Sequence, residues 1–362
     1  MERPGTLPPC SPVAGSAGSG HERPEHDPFR GRKGTVVPGY VDLQLNGGFG
    51  HDFTRDPGTI WEVGRRLPAH GVTAFLPTII TAASSAPLHA LEVLAAGPPP
   101  GWHGAIPVGI HLEGPMISAA RRGTHPQEFL RPPSPQLVRP WLEAGPPLMV
   151  TLAPELPGTL ATIEVLAEAG VIVAVGHSDA DADTTREAFA AGARHVTHLF
   201  NAMSGLDHRA PGVAVATLMA DDVTFGLVTD GVHVHADMVR LAIRLAGPDR
   251  VATVTDAMAA LGMGDGDHAI GDVAVRVSGI EVRNHDGALA GSAAGMDHVV
   301  RTAAAMVGPS TAITMATATP GMVVGHQPHD GDLVLLDDDM HVVATAVDGT
   351  VLHDREQDRE HP

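Results

Sequence analysis

The stretch VIVAVGHSDADADTTREAFAAGARHVTHLF, residues 171–200, indicates the fold class. An apolar run of strand length, 171–175, is followed by a polar break and by helical apolar spacing over 183–191, with aspartates placed to cap the helix. A second apolar run, 195–199, comes directly after the helical segment. This order predicts a βαβ unit with parallel strands.

The same alternation continues on both sides of this unit. Short apolar runs recur, and Ala/Leu-rich helical stretches such as 159–169 and 236–245 lie between them. The predicted strands are residues 40–45, 72–77, 106–112, 148–153, 171–175, 195–199, 223–228 and 251–255. Eight strands alternating with helices predict an α/β fold, a (β/α)8 TIM-type barrel.

The two ends of the chain differ from this barrel, which is placed at residues 38–325. Residues 1–37 are rich in Pro, Gly, Ser and charge, and are expected to form a disordered leader and a reduced N-terminal part of a small β domain. Residues 326–362 are expected to supply its C-terminal part and a tail, so that the termini build a small β-sandwich-like domain. A hairpin is predicted within 270–290, after the eighth strand.

Composition and charge limit the function. The 362 residues include 23 basic and 42 acidic side chains, and the net charge of −19 argues against nucleic acid or a membrane surface as partner. With 43% apolar but 3% aromatic residues, the core is expected to be Val, Ile, Leu and Ala. The single cysteine, Cys10, excludes an internal disulfide framework. No apolar run reaches the roughly 18 residues of a membrane helix, so we expect a cytoplasmic protein.

The candidate chemistry lies at the carboxyl ends of the predicted strands, where barrels of this type carry their active sites. Four of these ends deliver ionisable side chains, namely Glu113, His177, His198 and Asp256. One carboxylate and two imidazoles suit a divalent metal ion, which lowers the pKa of a bound water to about 7. Asp256 adds a carboxylate that can take a proton and return it to a leaving group. The pattern favours metal-assisted hydrolysis of an amide.

Each of these residues taken alone has a structural alternative. A histidine at a strand end is more often a hydrogen-bonded structural residue, and an aspartate after a strand commonly caps the next helix. The chain has 22 histidines, so their number alone decides nothing. The combination of four suitable groups at strand ends is what favours a functional site.

Seven segments resemble, in order, the signature segments of a known family. They are VPGYVDLQLNGG, GIHLEGPMISAARRGTHP, VGHSDAD, THLFNAM, DGVHV, VTDAM and GALAGS. Over about residues 36–350 the chain resembles the N-acetylglucosamine-6-phosphate deacetylases of the amidohydrolase superfamily. The resemblance implies a (β/α)8 barrel with a small β domain, and hydrolysis of this sugar phosphate to glucosamine 6-phosphate and acetate. Such a reaction belongs to amino-sugar catabolism or cell-wall sugar recycling.

The resemblance also implies roles for particular residues. Glu113, His177 and His198 match the metal ligands, and Asp256 matches the general base that becomes the acid. His125 matches a substrate-contacting histidine that polarises the acetamide carbonyl together with the metal. The expected substrate-binding residues are Thr124, His125, Asn201, Ala202, Arg209, Asp230, His233, Leu289, Ala290 and Gly291.

Two of these residues, Arg209 and His233, are expected to face the phosphate. A planar guanidinium suits a phosphate that the net charge would otherwise repel, although a solvated loop charge is the alternative for Arg209. The resemblance further implies that the pocket is completed across the interface of a homodimer. The chain is therefore expected to bind a small-molecule sugar phosphate and to pair with a second copy of itself.

The first strand bears on the number of metal ions. Many amidohydrolases begin with His-x-His and hold two metals, whereas this chain has Gln44 and Asn46 at those positions. Because amides are poor ligands for transition metals, one divalent ion per subunit is expected, with the two amides hydrogen-bonded in the barrel mouth. Zinc is the expected ion, and iron, cobalt or manganese also suit the ligand set.

Two alternative functions remain open at this point. The same chemistry can act on a related sugar phosphate such as N-acetylgalactosamine 6-phosphate, because the sequence does not reveal how the pocket recognises the C4 hydroxyl. A non-catalytic sugar-phosphate-binding relative is the second alternative. It would require the loss of a metal ligand or of the base, and all four of these residues are present.

Overall fold

The computed structural model describes residues 27–270, 273–284, 287 and 289–360. Cys10 and residues 1–26 of the predicted leader lie outside this part of the chain. The strands in chain order are β1 (Thr35–Pro38), β2 (Tyr40–Leu45), β3 (Gly47–Gly48), β4 (His51–Asp52), β5 (Val72–Ile80), β6 (Ile106–Pro107), β7 (His111–Glu113), β8 (Met149–Leu152), β9 (Ile172–Val175), β10 (His195–Val196), β11 (Thr224–Val228), β12 (Val251–Val254), β13 (Gly266–Ile270), β14 (Val273–Ser278), β15 (Glu281–Asn284), β16 (Leu289–Ser292), β17 (Leu333–Leu336), β18 (Val342–Val347) and β19 (Thr350–Asp354).

Helices connect most of these strands. They are α1 (Ile60–Arg66), α2 (Ser85–Ala96), α3 (Pro135–Ala144), α4 (Thr159–Glu168), α5 (Ala182–Ala191), α6 (Val213–Met219), α7 (Ala236–Ala246), α8 (Met296–Val307), α9 (Pro309–Ala316), α10 (Ala318–Val323) and α11 (Arg355–Glu360). Short 3-10 turns occupy Pro57–Thr59, Leu67–His70, Ala119–Arg121, Gln127–Phe129 and Pro248–Arg250. In the described part of the chain, none of the helices has the length and apolarity needed to span a bilayer.

Eight parallel strands form a nearly closed barrel, in the order β2, β5, β7, β8, β9, β10, β11 and β12. Each lies where the apolar runs predicted a strand, so the barrel prediction is confirmed. The run at 106–112 is divided into β6 and β7, both of which pair with β5. Helices α4, α5 and α7 also lie where helical spacing predicted them.

The barrel closes between its first and last strands through polar contacts. Asp42 on β2 accepts a hydrogen bond from the hydroxyl of Thr255, at 2.5 Å, and the Asp256 amide donates to the Gln44 carbonyl, at 3.0 Å. Burial raises the pKa of Asp42 to about 7, against the opposing effect of the Thr255 hydrogen bond. This seam places Gln44 beside Asp256 at the barrel mouth.

The segment after the eighth strand is larger than the predicted hairpin. Strands β13, β14, β15 and β16 form a four-stranded antiparallel sheet. Between β15 and β16, the Gly287 amide donates to the Asn284 carbonyl at 3.0 Å. The outer strands β13 and β16 extend beyond residues 270–290, so the predicted hairpin covers only part of this sheet.

Both termini build the small β layer, as expected. Strand β1 pairs with β17 in the antiparallel sheet β1-β17-β18-β19. Phe29 lies within the predicted leader, yet it is 1% exposed and packs in a cluster with Leu333, Leu335 and Val343. The described part of the leader is therefore folded against the sheet, and the domain boundaries 38–325 and 326–362 stay predictions.

The core is mainly aliphatic, as the composition predicted. Val, Ile, Leu and Ala make up most of the buried apolar residues of the described chain. A few aromatic side chains, including Phe53, Phe75 and Phe225, are among the largest that are fully buried. This apolar packing holds the strands whose ends carry the polar site.

Candidate active site

Three of the candidate residues lie at the same place relative to their strands. His177, His198 and Asp256 each come two residues after the end of β9, β10 and β12 respectively, whereas Glu113 is the last residue of β7. The three residues that follow strands have φ values of 48°, 31° and 47°. This left-handed region is uncommon for residues other than glycine, although His and Asp adopt it more readily than most. A sharp backbone turn thus follows each of these strands.

The side chains of the predicted metal ligands converge at one point. His177 Nε2 and His198 Nε2 each lie 3.0 Å from Glu113 Oε1, and the two nitrogens are 3.1 Å apart. All three side chains are buried. Such a close approach of two nitrogens and a carboxylate oxygen requires positive charge or shared protons between them.

The hydrogen bonds of His177 indicate which nitrogen can bind a metal. Its Nδ1 donates to the Arg121 carbonyl at 2.9 Å, so a neutral ring presents a lone pair at Nε2, toward Glu113. Burial alone would raise the pKa of Glu113, but its close contacts with His177 and His198 hold that pKa well below its usual range. The cluster therefore favours positive charge at its centre, and these residues fit a divalent ion.

His125 also approaches this cluster but has the opposite tautomer. Its Nδ1 lies 2.8 Å from the Thr81 hydroxyl and accepts from the Thr81 amide at 3.3 Å, and this amide bond places the proton of the neutral ring on Nε2. Burial, reinforced by the charge of His177, lowers the pKa of His125 to about 3, so the ring is neutral. Nε2 lies 3.8 Å from Glu113 Oε2. A neutral ring with Nε2–H toward the site is suited to donate to a carbonyl rather than to coordinate a metal.

The amides on the first strand hold the carboxylates. Asn46 Nδ2 donates to Asp256 Oδ1 at 2.7 Å, and Gln44 Nε2 lies 3.1 Å from Glu113 Oε1 and 3.3 Å from Asp256 Oδ1. The expectation that both amides hydrogen-bond in the barrel mouth is confirmed. Burial raises the pKa of Asp256, and the charge of His198 opposes this effect.

His233 and Asp230 form a pair beside the metal cluster. His233 Nδ1 lies 2.7 Å from Asp230 Oδ2, while Asp230 Oδ1 accepts from the amides of Val232 and His233. Burial would lower the pKa of His233, but its hydrogen bond to Asp230 and the charge of that residue raise it. Asp230 therefore favours a protonated His233, which suits an anionic ligand.

A cavity of about 350 Å³ collects most of the predicted site residues. Its lining includes Glu113, Thr124, His125, His177, His198, Asn201, Ala202, His233, Asp256, Leu289 and Gly291. Gly291 has φ of 70°, and a Cβ there would lie 2.4 Å from Met258 Cγ, so the strand can approach Met258 only with glycine at this position.

Three predicted substrate-binding residues do not line this cavity. Arg209 is exposed on the loop before α6, where its amide donates to Asp207 Oδ1. Asp230 is buried behind His233 and acts on that ring. Ala290 alternates with its neighbours along β16 and faces an adjacent cavity of about 600 Å³ instead.

Sequence reasoning missed two residues that organise the site. Thr81 orients His125, and Arg121 orients His177 through its carbonyl while lining the cavity. Arg121 lies in the same signature segment as His125, GIHLEGPMISAARRGTHP, so that segment could have pointed to it. Thr81 follows β5 without any charged group, so strand-end chemistry gave no reason to select it.

A comparison with protein families identifies the class of protein. Residues 35–351 match the model of the amidohydrolase family. The chain therefore belongs to the amidohydrolase family, as the resemblance of its motifs implied.

Individual relatives give a finer comparison. An N-acetylglucosamine-6-phosphate deacetylase of Rattus norvegicus is 38% identical over 350 residues, covering 89% of this chain and 84% of the relative. An N-acetylgalactosamine-6-phosphate deacetylase of Shewanella sp. (strain ANA-3) is 37% identical over 356 residues, covering 91% of this chain and 86% of the relative. The chain is thus similar to sugar-phosphate deacetylases along most of its length.

A solved structure supports the same comparison. The N-acetyl-D-glucosamine-6-phosphate deacetylase of Mycobacterium smegmatis, a variant in complex with N-acetyl-D-glucosamine-6-phosphate, gives a TM-score of 0.81 at 38% identity. The match covers 88% of this chain and 87% of that chain. The barrel and the terminal sheet are therefore those of this group of enzymes.

Proposed function

We propose that the chain hydrolyses the acetamide of N-acetylglucosamine 6-phosphate to glucosamine 6-phosphate and acetate, in amino-sugar catabolism or cell-wall sugar recycling. The observation that carries the proposal is the convergence of Glu113, His177 and His198 in one cavity with Asp256 and His125. The names of relatives at 37–38% identity support the substrate class. The chain is a hydrolase in this proposal, acting on a linear amide bond.

One divalent ion per subunit, expected to be zinc, would be held by Glu113, His177 and His198. The lone pair of His177 Nε2 and the low pKa of Glu113 support this ligand set. When bound, such an ion polarises a carbonyl and activates water for attack. Gln44 and Asn46 hold the carboxylates through their NH2 groups, and amide oxygens are poor ligands for transition metals, so one ion rather than two is proposed.

The proton transfers are assigned to Asp256. Its Oδ1 is held by Asn46, and the carboxylate faces the same cavity as the metal ligands. In this position it takes a proton from the attacking water and returns it to the leaving amine. His125, neutral and protonated on Nε2, donates to the acetamide oxygen and stabilises the charge that develops there.

The other end of the substrate is assigned to the side of the cavity that holds His233. Thr124, Asn201, Ala202, Leu289 and Gly291 line the same cavity and are the other residues proposed to contact the sugar. A protonated His233 is suited to a phosphate. Because Arg209 is exposed and does not line the cavity of its own chain, we propose that it reaches the phosphate of a second copy in a homodimer.

N-acetylgalactosamine 6-phosphate is the second candidate substrate. The Shewanella relative named for that activity is 37% identical, almost as similar as those named for the glucosamine epimer. Overall identity therefore does not separate the two epimers. The ratio of kcat/KM for the two sugars, measured on one preparation, decides between them.

The test of the function is acetate release from N-acetylglucosamine 6-phosphate with and without added zinc. Metal should restore activity to a chelated preparation, and His177→Ala or His198→Ala should lose both the ion and the activity. Full metal content in either variant would assign the ligands elsewhere. A protein that binds the sugar phosphate but is not activated by any divalent ion would instead be the non-catalytic relative.

The cellular location is also a proposal. A reducing compartment suits a chain with one cysteine, and a phosphorylated sugar is retained where it is made. We therefore place the protein in the cytoplasm, which cell fractionation tests directly.

A further inference from the structure

A second group of ionisable side chains lies far along the chain from the barrel site. It comprises His326, His329 and Asp332, in the segment that connects α10 to β17. This segment joins the last helix packed on the barrel to the terminal sheet. None of the three residues lines the candidate active-site cavity.

The three side chains converge. One potential ligand atom from each residue lies within 4.8 Å of those of the other two. The imidazole rings of His326 and His329 have centroids 5.6 Å apart and are nearly perpendicular, at 86°. Two imidazoles and a carboxylate at this separation need only small side-chain rotations to share one ion.

Asp332 is held rigidly for such a role. Its Oδ1 accepts from the Asp348 amide at 2.9 Å and its Oδ2 accepts from the His329 amide at 3.0 Å, while its own carbonyl accepts from Gly39 at 2.7 Å. A carboxylate has about four acceptor positions, so each oxygen keeps capacity for a further partner. The backbone thus orients Asp332 without consuming its ability to bind a cation.

His326 supplies an independent observation. Its Nε2 is buried and has no hydrogen-bond partner within the described residues. Buried polar atoms are normally paired, so this unpaired ring nitrogen indicates a partner from outside the chain.

We propose that His326, His329 and Asp332 bind a divalent transition-metal ion such as Zn²⁺ at the junction between the barrel and the terminal sheet. Two imidazoles and one carboxylate favour zinc, nickel or cobalt over magnesium or calcium, which prefer oxygen ligands. The ion would connect the end of α10 to β17 and, through the Asp332 backbone, to Gly39 before β2. This site is structural, and it is separate from the proposed hydrolysis.

The test counts zinc ions on the full chain after equilibrium dialysis against zinc alone. Wild-type protein should bind one more ion than His329→Ala, whose side chain is exposed, so the substitution leaves the fold intact. His341→Ala is the matched control, because it removes a histidine paired with an aspartate, Asp337, without belonging to this group. It should bind as many ions as the wild type.

Two further measurements separate this site from the barrel. His198→Ala should lose a different ion and keep the one bound at this site, so a failure of the proposed active site leaves this result unaffected. Zinc should raise the melting temperature of His198→Ala, and the rise should be lost when His329→Ala is added. Equal zinc content in wild type and His329→Ala, or displacement by calcium at equal concentration, would overturn the proposal.

Discussion

Replacing Asp256 by Asn removes the proposed general base while changing little else. Asn has nearly the same shape, and its one carbonyl oxygen can still accept from Asn46, which now donates at 2.7 Å. Among the described residues, the side chain accepts from Asn46 and Gln44 and not from the backbone of the loop 257–264. The alternative in which Asp256 simply caps that loop is therefore not what the geometry favours.

The size of the effect follows from the role. A positioned acid or base contributes about 10²–10⁴-fold to the rate, which equals about 2.7–5.4 kcal/mol at 1.36 kcal/mol per factor of ten. The loss of stability should be smaller, about 1 kcal/mol or less, because a neutral hydrogen bond replaces a charged one. The variant should therefore remain folded and metal-bound while kcat falls.

The assay measures kcat, metal content and melting temperature on one preparation of Asp256→Asn. An acidic limb in the pH profile of kcat/KM should disappear, since a carboxylate must be ionised to act as a base. Asp183→Asn is the control, because it removes the same charge from an exposed pair with Arg186 on α5 and should leave every quantity unchanged. A kcat within a few-fold of the parent value, at full metal content, would refute the assigned mechanism.

Three other substitutions test separate parts of the structure. Phe29→Ala should reduce stability by about 3–5 kcal/mol, seen as a lower melting temperature, because it empties a fully buried position. Asp230→Asn should lower the pKa of His233, because Asp230 raises that pKa. The pH above which KM for the phosphorylated sugar rises should therefore be lower in the variant than in the wild type. The same pH dependence of KM in both proteins would contradict this role. Arg209→Ala should raise KM for that sugar but not for the unphosphorylated one, and a dilution-insensitive monomer of full activity would contradict a shared pocket.

The barrel could be predicted from the sequence because its signal is local. Each of β8, β9 and β11 is an apolar run of strand length next to a helical segment, so period and length identify it without tertiary information. The four-stranded sheet over β13–β16 was recognised only as a hairpin, since its outer strands carry charged and glycine residues that weaken the pattern. Phe29 was missed for a related reason, as one aromatic in a polar segment has no periodicity and is buried only because β17 and β18 lie beside it.

The convergence of Glu113, His177 and His198 could be predicted because strand ends in a barrel meet at one place. The hydrogen-bond partners of the site residues could not be predicted, because these hydrogen bonds join segments that are distant in the sequence. Thr81 determines the tautomer of His125 from 44 residues away, and Asn46 reaches Asp256 across 210 residues. The sequence around Arg209 also could not show that this residue lies outside the cavity of its own chain. An arginine on a polar loop has the same local sequence whether it binds a phosphate or is exposed to solvent.

The tautomers of the two neighbouring histidines explain how one cluster can hold both an ion and a substrate. His177 donates from Nδ1 to a carbonyl, so its Nε2 offers a lone pair, whereas His125 accepts at Nδ1 from an amide, so its Nε2 offers a proton. Their ring centroids are only 4.5 Å apart, and both rings are buried. The difference between the two proposed roles therefore follows from the groups behind each ring, which are the Arg121 carbonyl for His177 and the amide and hydroxyl of Thr81 for His125.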